Sequence, residues 1–93
     1  MSYEVTLHRD VVKTLTGMSP DNRMRVTRSL RLLRMNPYES RAGADIVRLK
    51  GTKGREDLFR LRIGEYRALY AVVGRVVLVT DLFHRGKGYK QLP

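Results

Sequence analysis

The second half of the chain is divided into strand-length apolar segments by short turns containing glycine, and this pattern constrains the fold most strongly. Residues 58–63 alternate between apolar and basic side chains, and residues 76–83 are almost continuously apolar. Turns that begin at Gly64 and Gly74 separate both segments from an intervening one, 66–73. Two-residue loops with glycine join antiparallel strands. The pattern therefore predicts an antiparallel meander whose apolar last strand lies inside the sheet.

The first half of the chain adds a strand, two helices and another strand. Residues 3–7 alternate as in a half-buried strand, and the period changes to that of a helix over residues 9–16. A second helix begins with the capping signal Ser-Pro-Asp and is expected to span residues 19–35, before a strand over 46–50. The order strand–helix–helix followed by a four-stranded antiparallel meander predicts an α+β fold, with both helices packed on one face of the sheet.

Composition favours one small domain that binds a polyanion. The chain has 93 residues and a formal net charge of +10, from 19 Lys and Arg against 9 Asp and Glu. We interpret residues 1–93 as a single domain, for which nucleic acid is the first candidate partner and an acidic protein the second. The absence of cysteine excludes disulfides and thiolate metal sites. No segment is apolar enough to span a bilayer, and we expect a cytoplasmic protein without a cofactor.

Cations are predicted to line the face of the sheet that the helices leave open. By alternation in the strands, this face presents Arg48, Lys50, Arg60, Arg62 and Arg67. The aromatic side chains of Tyr66, Tyr70 and Phe83 could stack on bases, but strand packing is the simpler interpretation, and we assign them to the core. The cationic face then requires an anionic ligand.

The C-terminal segment His84-Arg85-Gly86-Lys87-Gly88-Tyr89-Lys90 combines cations with an aromatic side chain. Such a set suits RNA cleavage without a metal, because guanidinium groups can stabilise the crowded, charged phosphorane. Arginine remains protonated and cannot serve as the base. The groups that accept and donate protons would then have to come from His84, Tyr89, Lys50 or Lys87.

These motifs resemble those of the RelE toxins, in the RelE/ParE superfamily of toxin–antitoxin systems. The resemblance covers almost the whole chain and is carried by the segments 58–62, 65–70 and 84–89. It implies a RelE-like fold and a toxin that enters the ribosomal A site and cleaves mRNA, leaving a 2′,3′-cyclic phosphate and a 5′-hydroxyl. Matching positions imply that Arg67 and Arg85 stabilise the transition state, with Arg85 also helping the leaving oxygen.

The resemblance also implies that Tyr89 stacks on or orients the substrate. Arg60 and Arg62 occupy positions at which the best-known members carry lysines that help to activate the 2′-hydroxyl. A guanidinium cannot take that proton, so His84 is the natural substitute as base. Slow cleavage driven by electrostatics alone, or loss of activity, are the other interpretations. Further RNA contacts are expected from Arg48, Lys50, Lys53, Lys87 and Lys90.

The expected partners are the 30S A site of the ribosome with its mRNA, and an acidic, RelB-like antitoxin. Two other functions remain open. The chain could be a ParE-like gyrase inhibitor, although members of that branch usually lack the arginine and tyrosine of the C-terminal segment. It could also be a non-catalytic module that binds RNA or the ribosome, which would show salt-dependent binding without strand scission.

Overall fold

The structure, a computed structural model, describes residues 2–49 and 58–87. In chain order the elements are β1 (Glu4–Leu7), α1 (Arg9–Thr16), α2 (Pro20–Leu32), β2 (Asp45–Arg48), β3 (Leu58–Ile63), β4 (Tyr66–Val73), β5 (Val76–His84) and a 3₁₀ turn (Arg85–Lys87). The strands form one sheet in the order β1-β5-β4-β3-β2. Strands β2 to β5 run antiparallel to their neighbours, whereas β1 pairs with β5 in parallel. The predicted α+β class and meander are confirmed.

Both helices begin with a side chain that accepts a backbone N–H. His8 caps α1 through Nδ1, which accepts from the amide of Asp10 at 3.0 Å, and Ser19 Oγ caps α2. Helix α2 ends at Leu32, three residues before the predicted end, because the chain tightens into i→i+3 hydrogen bonds such as Leu33 N–H to Leu30 O. In the part of the chain that the structure describes, neither helix has the length and apolarity needed to cross a membrane.

The core lies on one face of the sheet, beneath both helices. Val11 and Leu15 of α1 and Val26 and Leu30 of α2 join the inward side chains of the strands in one buried cluster. Tyr70 lies at the centre of β4, fully buried. We assigned Tyr70 to the core, and this is confirmed. In the described residues, no helix packs against the opposite face of the sheet. Polar and charged side chains on that face are therefore accessible to a ligand.

Glycine forms both turns of the meander as predicted. Gly64 has a φ of 58° and Gly74 a φ of 59°, which is the left-handed region that a side chain with a Cβ disfavours. These turns place β3, β4 and β5 side by side, with β4 at the centre of the sheet and β5 also inside it. The chemistry of the sheet face therefore depends on the registers of these three strands.

A bulge in β5 changes which side chains reach each face. The pairing of β4 and β5 shifts after Leu69. Asp81 opposes Leu69 and Val79 opposes Tyr70, so Thr80 is an extra residue in β5 with no opposite residue in β4. Beyond the shift, Leu82 is buried on the helix side, whereas Phe83 opposes Arg67 on the other side. The assignment of Phe83 to the core was wrong, because simple alternation from Val79 does not hold across the bulge.

Candidate phosphate-binding and catalytic site

Four arginines form a cluster on and beside the open face of the sheet. Arg62 of β3 directly opposes Arg67 of β4, and Arg60 lies two residues away on the same face. Arg85 follows β5, and its backbone N–H donates to the carbonyl of Glu65 in the β3–β4 turn at 2.7 Å. We call Arg60, Arg62, Arg67 and Arg85 the arginine cluster. The prediction that the first three share a face is confirmed.

The cluster places Arg67 in an unfavourable electrostatic environment. Burial lowers the pKa of the Arg67 guanidinium, and the positive charges of Arg60, Arg62 and Arg85 lower it further, while Glu65 acts in the opposite direction. A guanidinium nevertheless remains protonated in proteins. The lowered pKa therefore indicates a strained positive charge at the centre of the cluster, which an anion would relieve.

Two nitrogen atoms of the cluster lack hydrogen-bond partners. Within the part of the chain that the structure describes, Nε of Arg60 and Nη1 of Arg67 are buried, and neither donates a hydrogen bond. Buried polar groups in folded proteins are nearly always paired, and leaving one unpaired costs about 1–3 kcal/mol. Both nitrogens belong to side chains on the open face of the sheet, and these side chains would have to shift before an oxyanion such as a phosphate could accept from them.

Asp45 and Glu65 border the cluster without neutralising it. Asp45 Oδ2 lies 3.9 Å from Arg62 Nη1, and Glu65 Oε1 lies 3.6 Å from Arg85 Nε. Both distances exceed those of a hydrogen bond, and all four side chains are at least half exposed, so the pairs are weak. The sequence analysis assigned no role to Glu65, but the β3–β4 turn brings it to the cluster. Its position two residues before Arg67 was the available signal.

His84 does not join the cluster. It opposes Tyr66 on the helix side of the sheet, with the two rings edge to face and their centroids 5.3 Å apart. Its Nδ1 accepts a hydrogen bond from the amide of Gly86 at 3.0 Å, which helps the chain to enter the 3₁₀ turn that carries Arg85. The geometry thus disfavours the role of base that the sequence suggested and makes His84 a residue that shapes the turn.

The remaining predicted site residues are distributed differently from the cluster. Arg48 was expected on the same face, and this was wrong, because the register of β2 places Arg48 opposite the inward-facing Phe59 and puts Val47 opposite Arg60. Lys87 ends the 3₁₀ turn after β5. The other predicted contacts lie outside the described residues: Lys50, Lys53, Tyr89 and Lys90. Their roles stay predictions.

A cleft of about 480 Å³ adjoins the cluster beside the β3–β4 turn. Arg62, Asp45 and Glu65 line it, together with Arg25 of α2 and the turn residue Gly64. On the sheet, the half-buried ring of Phe83 lies next to Arg67. The described residues contain no group of three or more His, Asp or Glu side chains arranged to hold a metal ion. The arrangement is thus suited to holding a phosphate and stacking on a neighbouring base.

Comparison with known proteins identifies the family. No family model matches the sequence. A protein of Methanocaldococcus jannaschii named RelE1, a toxin by assignment, is 30% identical over 92 residues, which are 97% of this chain and 98% of that protein. The chain belongs to the RelE toxin family. The resemblance seen in the motifs of the second half of the sequence is therefore confirmed over nearly the full length.

Solved RelE structures share the fold. The toxin chain matched in the archaeal RelE–RelB complex of Pyrococcus horikoshii is 33% identical with a TM-score of 0.78, and the match covers 95% of this chain and all of that one. The RelB–RelE antitoxin–toxin complex of Methanococcus jannaschii gives a TM-score of 0.67 at 23% identity, over 94% and 98% of the two chains. A mutant of the Escherichia coli toxin RelE in the free state gives 0.61 at 16% identity, over 95% and 88%. The last two show the fold alone.

Proposed function

We propose that this RelE toxin is a ribosome-dependent endoribonuclease that cleaves mRNA in the A site of the ribosome and so inhibits translation in the cytoplasm. In this reaction the 2′-oxygen attacks the adjacent phosphorus and forms a 2′,3′-cyclic phosphate. The bond from phosphorus to the 5′-oxygen breaks, and that oxygen takes a proton. Family membership supports a toxin of this class, and the arginine cluster supplies a site suited to the chemistry.

The arginine cluster carries the proposal, because Arg60, Arg62 and Arg67 share the open face of the sheet. Guanidinium groups held in place by a sheet stabilise negative charge as it develops on a phosphorane. Arg67, at the centre of the cluster, is the first stabiliser of the transition state. Arg85, whose backbone is held to the β3–β4 turn, is proposed as the second and as the group that helps the leaving oxygen. Tyr89 remains the proposed residue for stacking on the substrate.

Glu65 is our candidate for the group that takes the proton from the 2′-hydroxyl. Guanidinium groups cannot do so, and His84 faces the other side of the sheet. Of the two carboxylates at the cluster, Glu65 is the one whose charge acts on Arg67, whereas Asp45 pairs with Arg62. Carboxylates are among the side chains that act as general bases. The 5′-oxygen would take its proton from Lys87 or Tyr89.

We further propose that a RelB-like antitoxin neutralises the protein. The archaeal toxins of Pyrococcus horikoshii and Methanococcus jannaschii were both solved in complex with RelB, and the first is 33% identical to this chain. The net charge of +10 favours an acidic partner, because charge complementarity speeds association and suppresses wrong partners.

Primer extension on ribosome-bound mRNA tests the nuclease. The wild-type protein should produce breaks in phase with the codons, and Arg85→Ala should abolish them while retaining the fold. Arg28→Ala is the matched control, because it removes an exposed arginine of α2 far from the cluster in sequence. Strand breaks on free RNA without ribosomes, or inhibition of gyrase supercoiling without any breaks, would contradict the proposal.

The base is tested by comparing Glu65→Gln with Asp45→Asn in the same assay. Glu65→Gln should slow cleavage about 10²-fold or more, the scale of general base catalysis. Asp45→Asn should stay within a few fold of wild type, because Asp45 is only weakly paired with Arg62, at 3.9 Å, and takes no proton in the proposed reaction. Equal activity of Glu65→Gln and wild type would show that the proton goes elsewhere.

A further inference from the structure

The cleft beside the β3–β4 turn contains an arginine that does not belong to the arginine cluster. Arg25 of α2 and Arg62 of β3 both line this cleft, which has a volume of about 480 Å³. Arg62 also belongs to the arginine cluster, on the open face of the sheet. Because α2 packs on the opposite face, the cleft begins at the proposed catalytic site and continues around the end of the sheet to the helix.

The β3–β4 turn shows where the guanidinium of Arg25 lies. Gly64 has no side chain, and a Cβ at this position would lie 3.1 Å from Nη1 of Arg25. That distance is shorter than an ordinary van der Waals contact, so the guanidinium rests directly against the backbone of the turn. The backbone of Arg85 is bound to the carbonyl of Glu65 in the same turn. Arg25 and Arg85 are therefore both located at this turn.

The guanidinium of Arg25 has no anionic partner in the part of the chain that the structure describes. The carboxylates that line the cleft lie nearest to other arginines. Asp45 is 3.9 Å from Arg62, and Glu65 is 3.6 Å from Arg85. The positive charge of Arg25 is thus available to an anion that enters the cleft.

Arg41 adds positive charge to the cleft, but its donors are already used. Its Nη2 donates to the carbonyl of Leu32 at 2.9 Å and its Nη1 to that of Asn36 at 3.0 Å, where α2 ends. The described lining contains three arginines and two carboxylates, so its net charge favours an anion. Ser29, one helical turn after Arg25, adds a hydroxyl to the same wall.

We propose that the cleft binds the RNA phosphate next to the scissile phosphate, and that Arg25 is the residue that holds it. The inference rests on the proposed cleavage of mRNA, because it concerns the neighbouring linkage of the same substrate. Phosphates follow one another along an RNA strand, and this cationic cleft opens from the cluster that holds the scissile one. A guanidinium can donate two parallel hydrogen bonds to a phosphate, and Arg62 connects the two positions.

Arg25 should act on binding and not on the chemical step. Its phosphate carries the same charge before and during the reaction, so the contact stabilises the bound substrate and the transition state equally. Arg25→Ala should therefore raise KM at least about tenfold, the scale of one charge-assisted hydrogen bond, and leave kcat within a few fold of wild type. A fall in kcat with an unchanged KM would overturn the proposal.

Messenger RNAs with one uncharged linkage identify the contact. Ribosome-bound mRNA is prepared with a methylphosphonate at the linkage before or after the scissile one. One of these two substitutions should raise the KM of the wild type at least about tenfold, and it should not raise the KM of Arg25→Ala further. A merely structural role of Arg25 would leave the variant as sensitive as the wild type to both substitutions, and that result would overturn the proposal.

Arg28→Ala is the matched control, because Arg28 belongs to the same helix and does not line the cleft. It should have the KM of the wild type and the same sensitivity to the methylphosphonate. Arg25→Lys retains the charge and should recover part of the affinity that Arg25→Ala loses. Thermal unfolding curves confirm that each variant is folded. A KM of Arg25→Lys as high as that of Arg25→Ala together with a normal KM of Arg25→Ala on free linkages would contradict a charge contact.

Binding of a single-stranded RNA oligonucleotide without ribosomes separates this proposal from the nuclease. The slope of log affinity against log salt concentration reports the number of phosphates contacted, at about 0.7 for each. Arg25→Ala should reduce this slope by about 0.7, and Arg28→Ala should leave it unchanged. An unchanged slope for Arg25→Ala would refute the subsite, whatever the cleavage assay shows. Absence of cleavage by the wild type would refute the proposed activity, while the slope would still decide the subsite.

Discussion

Replacing Arg67 should make the protein more stable and less active at the same time. Arg67 lies among three other arginines, and its Nη1 is buried without a hydrogen-bond partner in the described structure. The free protein carries this cost at every working pH, because the guanidinium does not lose its proton. Arg67→Gln removes the charge and the unpaired nitrogen but keeps a polar side chain on the sheet face.

The magnitude follows from two opposing contributions. Relieving one unpaired buried donor stabilises the fold by about 1–3 kcal/mol. The shorter side chain loses part of the packing of one methylene group, worth roughly 0.8 kcal/mol when fully buried, and Arg67 is only half buried. We therefore expect a net gain of about 1 kcal/mol in the free energy of unfolding. For a domain near 100 residues this raises the melting temperature by about 4–8 °C.

Thermal unfolding at two salt concentrations measures this effect. The Debye length falls from about 10 Å at 0.1 M to about 3 Å at 1 M, so salt should stabilise the wild type more than the variant. Arg28→Gln, an exposed arginine on α2, is the control and should change stability little. In the ribosomal cleavage assay Arg67→Gln should be slower by about 10²-fold or more, the usual loss for one stabilising donor.

A lower melting temperature of Arg67→Gln at both salt concentrations would refute this reasoning. It would show that Arg67 makes net favourable contacts in the free protein and is a structural residue. A stable variant with full activity would instead show that the strained charge serves no purpose in cleavage. The stability and the activity are thus expected to change in opposite directions, which a purely structural arginine could not produce.

Three further predictions concern Tyr70 and His84. Tyr70→Phe should lower the free energy of unfolding by about 1–3 kcal/mol, because it leaves the buried carbonyl of Pro37 without its 2.6 Å hydrogen bond; Tyr3→Phe is the control. Burial raises the pKa of Tyr70 above its ordinary value of about 10, so above pH 10 the phenol ionises more readily in the unfolded chain than in the folded protein. The free energy of unfolding of the wild type should therefore be unaffected by this group below about pH 10 and should fall above about pH 10 more steeply than that of Tyr70→Phe. His84→Asn retains an acceptor for the amide of Gly86 and should keep cleavage activity. His84→Phe lacks that acceptor and should lose cleavage activity, while its thermal unfolding curve should show that the fold is intact.

The sequence predicted those parts of the fold that depend on local chemistry. The turns at Gly64 and Gly74, the cap of α2 at Ser19 and the alternation of β3 each involve neighbouring residues, and the structure confirms them. The common face of Arg60, Arg62 and Arg67 followed from the same logic, because a two-residue turn fixes the register of the hairpin that carries them.

Predictions that crossed an irregular segment failed. Arg48 was placed on the wrong face because β2 is a short edge strand entered from an irregular loop, so nothing local fixes which of its residues pair with β3. The predicted strand of residues 46–50 begins at Asp45 and ends at Arg48 instead. The counter-ion Glu65 was missed because its approach to Arg85 depends on where β5 ends, which is a property of the whole sheet.

The bulge in β5 connects these observations and accounts for the geometry of the site. Without an extra residue at Thr80, the alternation that buries Val77 and Val79 would carry Phe83 into the core and turn His84 toward the arginines. With it, Phe83 lies beside Arg67, and His84 is free to cap the turn that leads to Arg85. Bulges occur next to active sites because one inserted residue re-aims the side chains that follow it. The bulge and the His84 cap are therefore as much a part of the proposed site as the arginines, because they determine where Arg85 begins.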